Sequence, residues 1–186
     1  MAARVLVGMT TSIDGFVSDR NGSVGALFDD LDDIAGNAYW QDLIANTGAV
    51  VMGARTFAMG DPDSYVGNYE FQVPIFVLTN QPPAVAPKQD EHLSFTFVTD
   101  GVESAIAQAK AAAGDDTIIQ VVGGPDVTNQ VLRAGLADEL SIDVMPVLFG
   151  SGKRLFSDDG LASVTVEKIG VQELGVRTIL RFRVVR

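Results

Sequence analysis

The chain has 186 residues, 47% of them hydrophobic, and a formal charge of −11 at pH 7. That length predicts one domain, over residues 1–186, with a sizeable core, and the acidic balance excludes a general nucleic-acid binder, which must neutralise many phosphates. The lack of cysteine removes disulfides, thiolate metal sites and cysteine nucleophiles, and a single histidine, His92, removes any metal site built on several histidines.

A strand is predicted at once, over residues 4–11, beginning Arg4-Val5-Leu6-Val7. No basic segment with an apolar run precedes it, and no apolar stretch reaches the about 18 residues of a membrane span. A cytoplasmic protein is the expectation. Residues 12–22 form a loop with turn dipeptides at Asp14-Gly15 and Asn21-Gly22, and Phe16-Val17-Ser18 between them has the composition of a short strand. The stretch Asp19-Arg20-Asn21-Gly22-Ser23 begins like a calcium loop. However, Val24 stands where such a loop requires glycine, and Asp30 where it requires the bidentate glutamate. The run Asp29-Asp30-Leu31-Asp32-Asp33 therefore reads as a solvated helix start, favoured by the helix dipole.

Residues 32–46 read as a helix, with Ala35, Tyr39 and Leu43 on one stripe and Trp40 and Ile44 beside it. A strand at 49–52 follows, then a short helix from Arg55 that stops by Gly60-Asp61-Pro62. Residues 73–79 are a strand, ended by Asn80-Gln81-Pro82-Pro83 because proline cannot continue a central ladder. Another strand spans 94–98 and a helix spans 102–113. Gly114-Asp115-Asp116 turns the chain into the strand 117–122, and a helix covers 126–134. Thereafter 139–145, 163–171 and 175–185 alternate polar and apolar residues, with Val164 and Val166 inward and Thr165 and Glu167 outward. That alternation predicts antiparallel strands. Pro146 suits an edge strand or a bulge. The fold class is α/β, with a parallel β/α sheet extended by an antiparallel C-terminal section.

Two junctions combine a buried strand, a glycine and a helix start. Thr117-Ile118-Ile119-Gln120-Val121-Val122 breaks on Gly123-Gly124-Pro125, and Ala49-Val50-Val51-Met52 breaks on Gly53-Ala54-Arg55-Thr56. At such corners the backbone can approach a ligand and amide hydrogens can face an anion. Proline at the first helical position of the later corner is a start signal. The alternative at each is a tight turn, with Arg55 a surface arginine. Neither corner is a Gly-x-Gly-x-x-Gly fingerprint or a Walker loop. Leu78, Thr79 and Asn80 end a strand where open α/β sheets bind ligands, or else cap the turn. Gly150-Ser151-Gly152-Lys153-Arg154-Leu155-Phe156 is either a basic loop that closes over an anion or a solubilising turn.

Taken in order, Met9-Thr10-Thr11-Ser12-Ile13-Asp14-Gly15, Val50-Val51-Met52-Gly53-Ala54-Arg55-Thr56-Phe57, Ile75-Phe76-Val77-Leu78-Thr79, Val121-Val122-Gly123-Gly124-Pro125, Leu136-Ala137-Asp138-Glu139-Leu140 and Pro146-Val147-Leu148-Phe149-Gly150 resemble the dihydrofolate reductase-like superfamily. The resemblance is to the branch of the C-terminal reductase domain of the bifunctional riboflavin-biosynthesis enzyme RibD. It implies a three-layer α/β/α fold around a mostly parallel mixed sheet with antiparallel C-terminal strands, NADPH as hydride donor, and a homodimer. By position it assigns Gly53, Ala54, Arg55 and Thr56 to the adenosine-phosphate side of the coenzyme. Leu78, Thr79 and Asn80 fall to the adenine and its ribose phosphate, and Val122, Gly123, Gly124, Pro125, Asp126 and Val127 to the pyrophosphate. Arg55 favours NADP over NAD, since the extra phosphate needs a charged donor.

The resemblance fails at the substrate positions. Folate reductases carry a carboxylate on the helix before the Met-Gly strand, and that position falls at Tyr39 and Trp40, with Asp42 a turn away on another face. The riboflavin enzyme has a glutamate before its glycine pair, where Val122 stands, and an arginine after an Asp-Pro step, absent from residues 61–67. The expectation is an NADPH-dependent reductase acting on a C=N or C=O group of a small pteridine-, pyrimidine- or carbonyl-type molecule. Its pocket would be walled by Thr11, Ser12, Tyr39, Trp40 and Phe57, with Asp14, Tyr39 or water as proton source. The alternative class is a non-catalytic nucleotide-binding or dimerisation module that lost its substrate half. A hydrolase would have to use His92.

Overall fold

The computed structural model describes residues 2–156 and 159–185. Its strands are β1 (Arg4–Ser12), β2 (Phe16–Asp19), β3 (Thr47–Gly53), β4 (Ile75–Leu78), β5 (Phe95–Val98), β6 (Ile118–Val121), β7 (Glu139–Met145), β8 (Gly152–Arg154), β9 (Thr165–Leu174) and β10 (Arg177–Val185). The α-helices are α1 (Leu31–Ile34), α2 (Ala38–Asn46), α3 (Ala54–Phe57), α4 (Val102–Ala113) and α5 (Pro125–Arg133). Eight strands form one sheet in the order β5-β4-β3-β6-β1-β7-β10-β9, and β2 pairs with β8 separately. The pairs from β5 to β7 are all parallel, whereas β10 runs antiparallel to both β7 and β9. The α/β class, with its mostly parallel sheet and antiparallel C-terminal strands, is as the sequence indicates.

Alternation of side chains sorts this sheet into two unlike faces. On one, Val5 and Val7 of β1, Ala49 and Val51 of β3, Ile119 and Val121 of β6 and Leu140 of β7 pack with Ile106 and Ala109 of α4 and Val131 of α5. These side chains are almost all fully buried, each valine, leucine and isoleucine among them contributing roughly 1.5–3 kcal/mol by leaving water. On the other face the composition changes across the sheet. Val50 and Met52 of β3 join Ile75 and Val77 of β4, Phe57, Tyr65, Phe71 and Phe95 in a second apolar cluster. In register with them, however, come Gln120 of β6, Gly8 and Thr10 of β1, and Ser141 and Asp143 of β7. This polar strip forms a floor.

Four expectations need correction. The helix read over 32–46 is two, because Gly36 and Asn37 interrupt it and the Asn37 side chain accepts the Tyr39 N–H at 2.9 Å as the N-cap of α2. Strand β7 is internal and parallel to β1, not an antiparallel edge; it alternates because one of its faces packs on the core while the other looks into a cleft. Val166 is exposed, since β9 is the open edge of the sheet. The basic loop at 150–156 contains β8, held against β2 with the Arg154 guanidinium 4.5 Å over the Phe16 ring.

Candidate active site

Parallel strands point their C-terminal ends the same way, so the segments after β3, β4 and β6 meet at one sheet edge. There they line a cleft of about 880 Å³ that also reaches the polar floor beneath α2. Such a volume suits a small organic ligand. Of the residues assigned to the coenzyme, Gly53, Ala54, Arg55, Thr56, Leu78, Thr79, Asn80, Val122, Gly124, Pro125, Asp126 and Val127 all line it.

Gly123 does not. Its φ of 99° is accessible to glycine, and a Cβ there would lie 2.7 Å from Met9 Sδ. Its carbonyl accepts the Gly53 N–H at 2.8 Å, tying the two corners together. That bond also corrects the expectation that both corners offer free amides, since the Gly53 N–H is already used. Gly124, next in the chain, has ordinary extended backbone and opens α5. Asp126 in the first turn of α5 is paired with Lys153 at 3.0 Å and with the highly exposed Arg55 at 3.7 Å. Two cations therefore converge on the helix N-terminus, one from β8 and one from α3. Thr79 bonds locally, its hydroxyl donating to the Gln81 carbonyl at 2.9 Å, so it caps its turn and lines the cleft together.

The substrate-side assignments divide. Tyr39 and Trp40 line the cleft from α2. Burial raises the Tyr39 phenol above its ordinary pKa, and its hydroxyl meets that of Ser141. Thr11, Ser12 and Phe57 lie outside the lining. Thr11 is turned to the opposite face from Thr10 by strand alternation and is buried, as is Ser12. Phe57 stacks on Tyr65 at 5.6 Å and meets Phe95 and Phe97 edge-on, as part of the core.

Asp14 is likewise committed elsewhere. Its carboxylate accepts the Ser12 hydroxyl at 2.6 Å and the N–H groups of Gly150 and Phe149 at 2.7 and 3.2 Å. These bonds, led by that from Ser12, hold its pKa down to about 2. A carboxyl so acidic is ionised at neutral pH and has no proton to donate.

Another acid stands in the cleft. Asp143 lines it from β7, with a side chain only 16% exposed. Burial lifts its pKa to about 6, against the opposing pull of Arg177. Arg177 divides its contacts among several partners. Fully buried, it forms a bidentate pair with Asp30 at 2.6 and 2.7 Å and donates to the Leu27 carbonyl at 3.1 Å and to Thr10 Oγ1 at 3.3 Å, leaving Asp143 at 3.7 Å. The hydrogen-bonded guanidinium lowers the Asp30 pKa from its ordinary value. Glu70 and Tyr69 line the far wall, where burial raises the pKa of both. The signal for Asp143 was present in the sequence: Glu139, Ser141 and Asp143 share one face of a strand whose other face is core. A polar strand face is read as facing solvent unless the helix covering it is known.

The family model described as "RibD C-terminal domain" matches residues 3–180. The Bacillus subtilis (strain 168) protein named "Uncharacterized protein YwjB" is 28% identical over 158 residues, covering 85% of each chain. The Thermotoga maritima diaminohydroxyphosphoribosylaminopyrimidine deaminase/5-amino-6-(5-phosphoribosylamino)uracil reductase superposes with a TM-score of 0.72 at 16% identity, over 99% of this chain and 57% of that one. A dihydrofolate reductase from Enterococcus faecalis, solved with NADP(H), superposes over the whole of both chains with a TM-score of 0.65 at 18% identity. The superpositions bear out the dihydrofolate reductase-like architecture, and the match over residues 3–180 settles the family: this chain belongs to the RibD C-terminal domain family.

Proposed function

We propose that the protein is an NADPH-dependent reductase of a small molecule with a C=N or C=O group, working in the manner of the 5-amino-6-(5-phosphoribosylamino)uracil reductases of its family. One observation carries the reading: a single cleft joins a cationic, glycine-cornered helix N-terminus to a polar floor holding an acid whose pKa burial raises to about 6. The residues present fit a dinucleotide. Gly124 leaves the entrance to α5 free of side chain, Arg55 and Lys153 flank it, and Thr79 and Asn80 offer hydroxyl and amide groups beside it.

When bound, NADPH supplies the hydride. The chain's own residues do the rest. The first turn of α5, with Arg55 and Lys153, holds phosphate charge; Tyr39 and Trp40 wall the ring side and exclude water; the floor orients the acceptor. The proton that completes the reduction would come from Asp143 rather than Asp14, as its raised pKa leaves a protonated fraction near neutrality. The resemblance also carries a homodimer and a cytoplasmic location into this proposal. Quenching of protein fluorescence by NADPH, followed by a screen of dihydrofolate, the ribosylamino-pyrimidine intermediate and simple carbonyls at 340 nm, tests it. Saturable binding with turnover is expected. Binding without turnover of any substrate would favour a nucleotide-binding module instead.

A further inference from the structure

The far wall of the cleft is built unlike the end that meets α5. Tyr69, Glu70 and Phe71 follow one another along it. Trp40 of α2 closes on them, its ring centroid 6.4 Å from that of Phe71, which lies 5.6 Å from that of Tyr69. Phe71 is buried, so the half-buried rings of Trp40 and Tyr69 are the surface that a ligand can reach. Glu70 is exposed at the same wall, and its carboxylate, bonded to its own backbone N–H, pairs with no cation among the described residues.

The cations stand elsewhere. Arg55 and Lys153 line the cleft beside Asp126 at the start of α5. Arg177 is matched by Asp30 and Asp143. Arg181 faces the floor in register with Ser141, its Nε unpartnered, but Glu139 holds its terminal nitrogen at 2.7 Å, and with Arg4 and Glu139 it lines a separate pocket of about 140 Å³. A phosphate at the far wall would therefore meet Glu70 without a compensating charge.

A positive group would meet the reverse. An aromatic face is negative above its plane and attracts a cation, tryptophan most strongly. This chain seats two of its own cations so, Arg154 4.5 Å over Phe16 and Arg177 5.7 Å over Phe28. A primary ammonium would need acceptors for three N–H groups in place of its water. An ammonium whose hydrogens are replaced by alkyl groups needs none, and its methyl groups can pack on the rings. The formal charge of −11 adds a field that draws cations inward.

Building on the reductase reading, we infer that the substrate carries an alkylated ammonium group, seated on the rings of Trp40 and Tyr69 with the Glu70 carboxylate as its counter-ion. The two ends of the cleft then differ in sign, one receiving coenzyme phosphate and the other a fixed positive charge, with the reducible bond over the floor between them. This departs from the phosphoribosylated substrate in the name of the Thermotoga relative.

Trp40 is the chain's one tryptophan, so its fluorescence reads this wall. The test is a fluorescence titration at pH 8 and constant ionic strength with choline, with dimethylbutanol as its uncharged carbon isostere, and with ribose 5-phosphate. Choline is expected to saturate, with Glu70→Gln weakening it at least fivefold and Glu70→Asp retaining part of the affinity. The isostere and ribose 5-phosphate are expected to bind at least tenfold more weakly. No saturation by choline, equal binding of the isostere or of ribose 5-phosphate, or unchanged affinity in Glu70→Gln would overturn the inference. Should that variant not fold, the comparison of the three probes on the native protein decides. NADPH is titrated separately: a protein that binds choline but ignores NADPH refutes the reductase reading alone, and one that binds NADPH but ignores choline refutes this inference alone.

Discussion

Arg177 is fully buried and sits between two carboxylates of opposite behaviour. Asp30 is charged and bidentate, whereas burial raises the pKa of Asp143. The energetic sign differs accordingly. Asp143 has a folded pKa of about 6 against 3.8 unfolded. Between those values the folded chain keeps a proton that the unfolded chain has released. Stability therefore falls as pH rises through this window, by about 3 kcal/mol at about 1.4 kcal/mol per unit. Asp143→Asn abolishes that loss, so thermal unfolding should show the variant more stable than the native protein at pH 8 and equal to it near pH 4. A gap independent of pH would contradict the assignment. For Asp30 the sign reverses: its depressed pKa gives stability present above the unfolded value and lost as acid protonates it. Asp30→Ala leaves a buried guanidinium without its main partner and should cost about 3–5 kcal/mol in urea unfolding. Arg177→Lys should not rescue the pair, because an ammonium cannot reproduce the bidentate fork.

The glycine corner between β6 and α5 gives two adjacent positions with different duties. Gly123 adopts positive φ and touches Met9, so Gly123→Ala should destabilise the fold by about 1–3 kcal/mol. Gly124 has a φ of −70°, which any residue adopts, and its added methyl would find Thr56 Oγ1 at a comfortable 3.6 Å. Gly124→Ala should keep the melting temperature and lose NADPH affinity, measured by fluorescence quenching. Equal effects of the two on stability would refute the division. Arg55→Ala should weaken NADPH about tenfold and NADH far less, the worth of one charge-assisted bond to the extra phosphate. Both corners were legible in the sequence because glycine, proline and a buried strand carry local signals. The break between α1 and α2 was legible only in part: Gly36-Asn37 is a stop and a cap, but the apolar stripe of Ala35, Tyr39 and Leu43 runs across it. Long-range pairings leave no local trace, so the sequence alone offers Asp14 as a proton source. Its partners, Phe149 and Gly150, lie at the far end of the chain.

Across the whole molecule, one sheet presents two unlike faces. The apolar face made the fold class readable, since near-continuous runs such as Ala49-Val50-Val51-Met52 belong in a parallel sheet covered on both sides. The polar strip of Gln120, Thr10, Ser141 and Asp143 was not readable as a site. Its residues come from three strands distant in sequence, and only the order β6-β1-β7 unites them. The sheet ends at β9, where Val166, Ile169 and Val171 are exposed. Pairing of two copies along this open edge would cover them. Light scattering should then give twice the monomer mass, and Val171→Lys should lower it. The central claim, that this cleft grips a phosphate-bearing coenzyme at the start of α5, is tested most directly by calorimetric titration with NADPH and NADH. Micromolar binding of NADPH, weaker binding of NADH and a loss of that preference in Arg55→Ala are the predicted results; no heat with either coenzyme would contradict it.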